Sequence, residues 1–405
     1  MLRRIWVRAT IYSLAAVLVA LLAAVAGPYI PYDPQLTLAS GAVGNILNIL
    51  AASMLAVTTF SLSIMVSAYS AATSNATPRS IKLLLADPIA QSTLSTFVGT
   101  FLFSIVGIIG IVAGIHQGKG RVFLFLATLI VLVIVVAALM RWIEQIGSFG
   151  RISDIIERVE KAARRALIDA GSRPNGGALP PIDIPGDAQE LRTEEQGRLL
   201  HVDLEEIEER ASKGDYVVHM LVSVGSLIHP ARPVMAIAPA VDDEELQCLR
   251  ECLSISSDRE FDGDPRYGLI VLSEIASRAL SPAVNDPGTA IEVVDAALRL
   301  LVDYSKARRE PETPICGRVH APALDMGELL FDFVNPLARD GAAMLEVQER
   351  LLTILEAIAA FDPGLYRTLA IAQVGNILDR SSNLSAKADR DRLEKRAASI
   401  MSALA

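Results

Sequence analysis

The sequence predicts a membrane protein of the α-helical class, with four transmembrane helices followed by a cytoplasmic α+β domain. Residues 9–142 contain four long apolar stretches, and charged residues occur only near their edges. The chain after these stretches is polar and acidic. Residues 151–405 hold 29 basic and 43 acidic residues, whereas residues 1–150 hold eight basic and three acidic residues. Short β-like runs then precede a helical pattern, so the α+β domain is expected to have a small β barrel-like part and then a helical part.

The four apolar stretches lie at residues 9–27, 42–68, 92–115 and 122–140, and each approaches or exceeds the ~20 residues that cross a bilayer as a helix. Together they define a four-helix transmembrane domain over residues 1–142. The first stretch has an alternative interpretation as a cleaved signal peptide, because Arg3, Arg4 and Arg8 precede or begin it. Its apolar run is longer than the roughly 7–15 residues of a signal core, which favours a membrane span.

Basic residues in the short loops predict the orientation of these spans. The N-terminal segment carries Arg3, Arg4 and Arg8 and the second loop carries Arg79 and Lys82, whereas the first loop carries no basic residue. The N- and C-termini are therefore both expected in the cytoplasm. A multi-pass protein with this alanine- and arginine-rich composition is expected in the inner (plasma) membrane of a bacterium.

The second span carries a stripe of polar and small side chains. Its members recur every three or four residues, which places them on one face of a helix: Asn45, Asn48, Ala52, Ala56, Thr59, Ser63 and Ser67. Small and hydroxyl residues allow helices to approach closely and to hydrogen-bond within a bundle. The same stripe, repeated around a homo-oligomer, would line an aqueous pore. Both interpretations, helix packing and pore lining, stay open at this level.

Charged side chains are missing from the middle of every predicted span. Proton-coupled transporters place ionisable groups at that depth, so their absence argues against a transporter. Four spans without a visible inverted repeat also leave little room for alternating access within one subunit. A neutral-lined channel formed by several copies agrees better with this composition.

Four segments are expected after the spans. Residues 143–170 have an amphipathic pattern that predicts a stalk helix, and residues 171–190 form a linker rich in proline and glycine. Residues 191–240 predict a small β-rich subdomain, whose rhythm of turns and strands resembles that of biotinyl and lipoyl carriers. The lysine that would carry the cofactor is missing, so no cofactor is expected. Residues 241–405 predict a mainly helical subdomain.

The most distinctive motif of the soluble part covers residues 281–290. Asn285 or Asp286 is expected to cap a helix that begins at Pro287, with Thr289 in its first turn. The alternative is an anion site, because free amides and the helix dipole attract negative charge at such a position. The acidic side chain of Asp286 would repel an anion, which favours the capping interpretation.

Sequence motifs for catalysis or metal binding do not occur in this chain. The five histidines and three cysteines show no ligand spacing, and there is no Walker lysine, GxSxG motif or dinucleotide fingerprint. We therefore expect no catalytic residues, no metal site and no enzymatic activity. The excess of acidic residues in the soluble part argues against a nucleic acid as a partner.

Several segments resemble those of a bacterial family of predicted membrane proteins that carry a domain of unknown function. The cytoplasmic part contributes residues 279–290, and the membrane part contributes Phe60-Ser61-Leu62-Ser63-Ile64, Thr77-Pro78-Arg79 and Gly99-Thr100-Phe101-Leu102. The resemblance extends over nearly the whole chain and implies four spans plus a cytoplasmic domain. It implies no activity, substrate or catalytic residue.

From these observations we expect an oligomeric inner-membrane protein that forms an ion channel or pore, with a cytoplasmic domain that gates or assembles it. The expected partners are the lipid bilayer, further copies of the chain, and an ion or a cytoplasmic protein. The alternative is a non-conducting membrane scaffold or sensor, in which the stripe packs helices and the cytoplasmic domain binds a partner.

Overall fold

The computed structural model describes residues 5–26, 41–85, 87–115, 119–148 and 150–404. Their contacts divide the chain into two compact units. The first, called here the N-terminal unit, comprises Met1–Ser74 and Pro78–Asp154, and the second, called the C-terminal unit, comprises Asn75–Thr77 and Ile155–Ala405. Each unit is described by itself below.

The elements described in the N-terminal unit are helices. They are α1 (Ile5–Ala26), α2 (Ala42–Asn75), the short α3 (Ile81–Leu85), α4 (Pro88–Val112) and α5 (Lys119–Ser148). The start of α4 follows from its sequence, because Asp87 accepts hydrogen bonds from the amides of Ile89 and Ala90, both at 2.8 Å, and Pro88 occupies the first helical position. With 34 residues, α2 is ~50 Å long, well beyond the ~30 Å of a hydrocarbon core.

In the part of this unit that the structure describes, three helices are long and apolar enough to cross a membrane, over Ala42–Ser74, Pro88–Val112 and Gly120–Gly147. The second, third and fourth predicted spans therefore coincide with candidate membrane helices. The first predicted span is not confirmed, because the apolar helix described within α1, Thr10–Val19, is shorter. It stays a prediction, and residue 27, at its end, lies outside the described residues.

Glycines on α4 allow its neighbours to approach closely. A Cβ at Gly99 would be 3.2 Å from the carbonyl oxygen of Tyr12, so α1 and α4 meet almost backbone to backbone. A Cβ at Gly107 would be 3.0 Å from a methyl carbon of Leu47 on α2. Around these glycines, one buried apolar cluster combines Leu47, Phe103 and Leu124, which come from α2, α4 and α5.

The predicted stalk of residues 143–170 is divided in the structure. Residues 143–148 end α5, and a new helix, α6 (Ile152–Ser172), begins after Gly150, whose φ of +83° does not continue a right-handed helix. The apolar face of α6 is buried within the C-terminal unit, with Ile155, Val159 and Leu167 almost inaccessible. The amphipathic pattern of α6 is thus matched by a buried apolar face, and its role as a stalk stays a prediction.

The β-rich part contains two sheets among the described residues, where a barrel-like arrangement was expected. Its strands are β1 (Gln189–Leu191), β2 (Gly197–Val202), β3 (Val217–Met220), β4 (Leu227–Ile228), β5 (Met235–Ala238), β6 (Leu253–Ser256) and β7 (Val319–His320). One sheet has the order β1-β5-β3-β7 and the other β4-β2-β6, and all pairs except β3–β7 are antiparallel. Both sheets contribute to one core, which includes Leu199, Val218 and Ile237.

Two of these strands lie outside the predicted β segment of residues 191–240. β6 pairs with β2 and β7 pairs with β3, so the sheets recruit residues that are up to about a hundred positions away along the chain. The predicted linker of residues 171–190 is also partly ordered by this part, since Leu179 bridges to His320 and β1 begins at Gln189.

The other helices of the C-terminal unit lie in the part predicted to be helical, residues 241–405, except the first of them, which lies within the predicted β-rich segment. They are α7 (Leu204–Gly214), α8 (Asp243–Glu251), α9 (Pro265–Ala279), α10 (Pro287–Arg308), α11 (Met326–Asp340), α12 (Leu345–Phe361), α13 (Pro363–Leu378) and α14 (Lys387–Leu404). Their core is apolar, and Val293, Leu300, Phe333, Leu355 and Leu393 have no accessible surface.

Candidate functional site

The polar stripe lies on the exposed face of α2. Every member has an exposed side chain: Asn45, Asn48, Ala52, Ala56, Thr59, Ser63 and Ser67. The contacts with the other helices are made by residues such as Val43, Leu47, Met54 and Met65, which are almost fully buried. An α-helix advances ~100° per residue, which places the stripe roughly opposite this buried face. The stripe therefore does not pack α2 against the described helices of its own chain.

The hydroxyl and amide groups of the stripe differ in their hydrogen bonds. Thr59 Oγ1 donates to the carbonyl oxygen of Leu55 at 2.9 Å, and Ser63 Oγ donates to that of Thr59 at 3.1 Å. These bonds within the helix use the hydroxyl protons and are typical of serine and threonine in membrane helices. The side-chain amides of Asn45 and Asn48 make no hydrogen bond with any residue that the structure describes.

The exposed asparagine amides on this face of α2 need hydrogen-bonding partners. Moving an amide from water into hydrocarbon without a hydrogen-bonding partner costs about 4–8 kcal/mol. Asn48 lies about two turns into α2 and its side chain is exposed, so it needs water or a polar group from another molecule. Lipid tails provide neither.

Large apolar side chains border the stripe on both sides. Leu55 and Leu62 are exposed along one edge, and Ile49 and Phe60 are exposed along the other. Val66 is the exception, because it lies within the stripe, in the same direction as Asn48 and about five turns further along α2. The face carries no charged residue, so it offers neutral dipoles to a ligand, to water or to another helix.

The second predicted site, at the start of α10, has the geometry of a helix cap. Asp286 Oδ1 accepts from the amide of Thr289 at 3.1 Å, and Asp286 Oδ2 accepts from Thr289 Oγ1 at 2.7 Å. Pro287 occupies the first turn, and Asn285 is exposed with a φ of +52°. These hydrogen bonds lower the pKa of the Asp286 carboxyl, so it is ionised at neutral pH and would repel an anion.

The two predicted sites are separate features of the chain. The stripe belongs to the N-terminal unit and the helix cap to the C-terminal unit. Among the described residues, no group of three or more histidine, cysteine, aspartate or glutamate side chains is placed to hold a metal ion. Burial raises the pKa of the thiols of Cys252 and Cys316 to about 11, so both are poor nucleophiles near neutral pH.

A pair of histidines was not anticipated from the sequence. His219 on β3 and His320 on β7 are neighbours in the sheet, and their ring centroids are 5.5 Å apart in a stacked arrangement. His320 Nδ1 lies 2.6 Å from the carbonyl oxygen of Pro180, so this nitrogen carries a proton and donates it. Burial, and then the neighbouring His320, lower the pKa of His219. No spacing rule could have found residues that pair across a hundred positions.

Comparisons with known proteins agree on a family but on no activity. The model of a family described as "Predicted membrane protein (DUF2254)" matches residues 3–357, which is most of the chain. An uncharacterised protein of Mycobacterium bovis and one of Mycobacterium tuberculosis are each 28% identical to it over 269 residues, which is 63% of this chain and 51% of theirs. The chain thus spans about half the length of these relatives. No solved structure matches it.

Proposed function

The chain belongs to the DUF2254 family of predicted membrane proteins, and from that premise we propose that it assembles into a homo-oligomeric ion channel. In this assembly the polar faces of α2 from several copies surround a common axis. The position of the stripe on α2, opposite the face that packs within the chain, is the observation that supports this proposal. We further propose that the protein resides in the inner membrane of a bacterium with both termini in the cytoplasm.

In a symmetric oligomer, the exposed polar face of α2 would form rings of equivalent side chains around the axis. In a closed ring of parallel copies, each residue of α2 lies at the same depth as its equivalents. Asn48, Thr59 and Ser63 then form successive rings of amide and hydroxyl groups around the axis. Such rings supply the hydrogen bonds that the asparagine amides do not make with the described residues of one chain, either to water or to a neighbouring copy.

The C-terminal unit is proposed to gate or assemble this ring. Residues 151–405 hold 43 acidic and 29 basic residues, so like charges on neighbouring copies repel one another. Association in the membrane must then overcome that repulsion, so the charge of the C-terminal unit influences how closely the copies assemble. No catalytic step is assigned to the chain, and neither an enzymatic activity nor a nucleic-acid partner forms part of the proposal.

The alternative is a non-conducting scaffold or sensor. Here the polar faces of α2 pack against each other without water between them, and the C-terminal unit binds a cytoplasmic protein. The exposed amides of Asn45 and Asn48 fit this arrangement as well, because amides also hydrogen-bond between tightly packed helices.

Ion flux through proteoliposomes tests the proposal against this alternative. The purified protein is compared with Asn48→Leu, Asn48→Asp and the control Ile49→Leu, which alters an exposed apolar neighbour of Asn48. We expect Asn48→Leu to reduce flux and Asn48→Asp to favour cations over anions, with the oligomeric size unchanged and the control like the unsubstituted protein.

A dry packing face would respond differently. Asn48→Asp would then place a charge in a helix interface and dissociate the oligomer, and no variant would conduct. That outcome would favour the scaffold or sensor over the proposed channel.

A further inference from the structure

Gly150 and Arg151, called here the turn, precede α6, and Gly150 lies against the C-terminal half of α2. Gly150 lies in this turn with a φ of +83°, a left-handed conformation that favours glycine. A Cβ at Gly150 would be 3.4 Å from both the Cα and the Cβ atom of Ala68. Ala68 belongs to the buried face of α2, with 7% of its surface exposed. The backbone of Gly150 is therefore in close contact with α2, and the nearest described side-chain atom at this point is the methyl carbon of Ala68.

The helix that follows this turn is held firmly in the C-terminal unit. Ile155, Val159 and Leu167 of α6 are buried there. Glu160 of α6 also pairs with Arg299 of α10, at 2.9 and 2.6 Å between the carboxylate oxygens and the guanidinium nitrogens. Because the chain is continuous, a displacement of α6 that α5 does not follow must be absorbed by the turn that rests on Ala68.

We propose that the contact between Gly150 and Ala68 couples the C-terminal unit to α2. A rearrangement of α6 then shifts the turn, and the shifted turn changes the packing against Ala68. α2 carries its polar face opposite this contact, so its orientation around the common axis changes as well. The inference rests on the proposed function, since it takes that polar face as the conducting surface.

Coupling through a contact acts in both directions. A larger side chain at residue 68 should therefore loosen the turn, just as movement of the turn should affect α2. The turn contains a convenient reporter, because Arg151 is exposed and lies outside any helix. Trypsin can cut after this residue only when the surrounding backbone opens, so the rate of cleavage reports the stability of the turn without reference to ion flux.

The experiment compares Ala68→Val with the matched control Ala51→Val. Ala51 is also a buried alanine of α2, 7% exposed, but it is 17 residues away from Ala68. In detergent-solubilised protein, we expect Ala68→Val to accelerate cleavage after Arg151 by about threefold or more, and Ala51→Val to leave it unchanged. Gly150→Ala approaches the same contact from the other side and should accelerate cleavage too.

Flux through proteoliposomes is measured for the same variants. The inference expects Ala68→Val and Gly150→Ala to change flux at unchanged oligomeric size, with Ala51→Val like the unsubstituted protein. Equal cleavage rates for the two valine variants would overturn the coupling. The coupling would also be overturned if the protein conducts ions and neither Ala68→Val nor Gly150→Ala changes the flux. If Ala68→Val accelerates cleavage but no protein conducts ions, including the unsubstituted one, the proposed coupling would be supported and the proposed channel function would be rejected.

Discussion

Gly225 is constrained by its backbone and by its surroundings at once. Its φ is +86°, and a Cβ there would be only 2.3 Å from Asp264 Oδ2. Asp264 is buried, pairs with Arg259 at 2.7 Å between Oδ2 and Nη2, and caps α9 by accepting from the amide of Tyr267. Any side chain at residue 225 would displace this buried ion pair.

We predict that Gly225→Ala lowers the free energy of unfolding of the C-terminal unit by about 2 kcal/mol or more. Chemical denaturation of the detergent-solubilised full-length protein, followed by circular dichroism, measures the change. Gly186→Ala is the control, because nothing lies within 4 Å of a Cβ at Gly186, and it should stay within ~0.5 kcal/mol of the unsubstituted protein. Equal effects of the two substitutions would show that the buried pair tolerates a methyl group.

Glu160 links two helices of the C-terminal unit through its carboxylate. Burial raises the pKa of this group, but hydrogen bonds and charge from Arg299 and then Arg164 outweigh burial, so the pKa is lowered from its ordinary value of 4.5. A lowered pKa in the folded state means that folding favours the ionised form. The stabilisation is therefore present above pH 4.5 and is lost as the pH falls through the lowered pKa.

Glu160→Gln should consequently flatten the dependence of stability on pH. We expect the variant to be less stable by about 1–3 kcal/mol at neutral pH, because a neutral amide replaces the carboxylate that accepts from the charged Arg299. The difference from the unsubstituted protein should shrink below pH 4.5. Denaturation between pH 7 and pH 3.5 measures both effects, and Glu157→Gln, at an exposed position of the same helix, is the control. A difference that does not vary with pH would contradict the assigned ion pair.

At the scale of a helix, α2 combines two faces with different partners. The face with Leu47 and Met65 is buried against other helices of the chain, and the opposite face carries the polar stripe. Within that stripe, Val66 is a large apolar side chain with 59% of its surface exposed. In a ring of parallel copies it would form an apolar constriction, and such constrictions oppose conduction by excluding water.

We predict that Val66→Ser increases ion flux through proteoliposomes, because a hydroxyl ring holds water where the valine ring excludes it. Val133→Ser is the matched control: Val133 of α5 is 69% exposed but lies on another helix, so its substitution should leave flux unchanged. A similar response of both variants would assign the effect to the bilayer and not to the face of α2.

At the scale of the whole molecule, the number of spans decides whether the two termini lie on the same side of the membrane. Among the described residues, three helices are long and apolar enough to cross a membrane, and a crossing by α1 would make the number even. The loop charges predict that both ends are cytoplasmic, which requires this fourth crossing.

Reporter fusions test the prediction directly. A phosphatase that is active only outside the cytoplasm should be inactive at both the N-terminus and the C-terminus, and active when inserted between α1 and α2. An active N-terminal fusion together with an inactive C-terminal one would establish an odd number of crossings. Fusions at the loop between α2 and α4, where Arg79 and Lys82 lie, serve as the cytoplasmic control.

Local features of this protein followed from the sequence alone. Hydropathy located α2, α4 and α5, because a membrane helix is recognised by the composition of one continuous segment. Cap chemistry located the start of α10 at Asn285 or Asp286, because a cap depends on residues two or three positions apart. The periodicity of α2 likewise identified a polar face before its surroundings were known.

Only the tertiary structure decided what each face contacts. A helical period assigns residues to one side of a helix, but whether that side meets another helix or remains exposed depends on contacts with distant segments. The stripe of α2 was therefore ambiguous in the sequence, and the structure places it on the face that does not pack against the described helices of its unit. For the same reason, α6 packs inside the C-terminal unit, and His219 meets His320 through a strand pairing that no local pattern encodes.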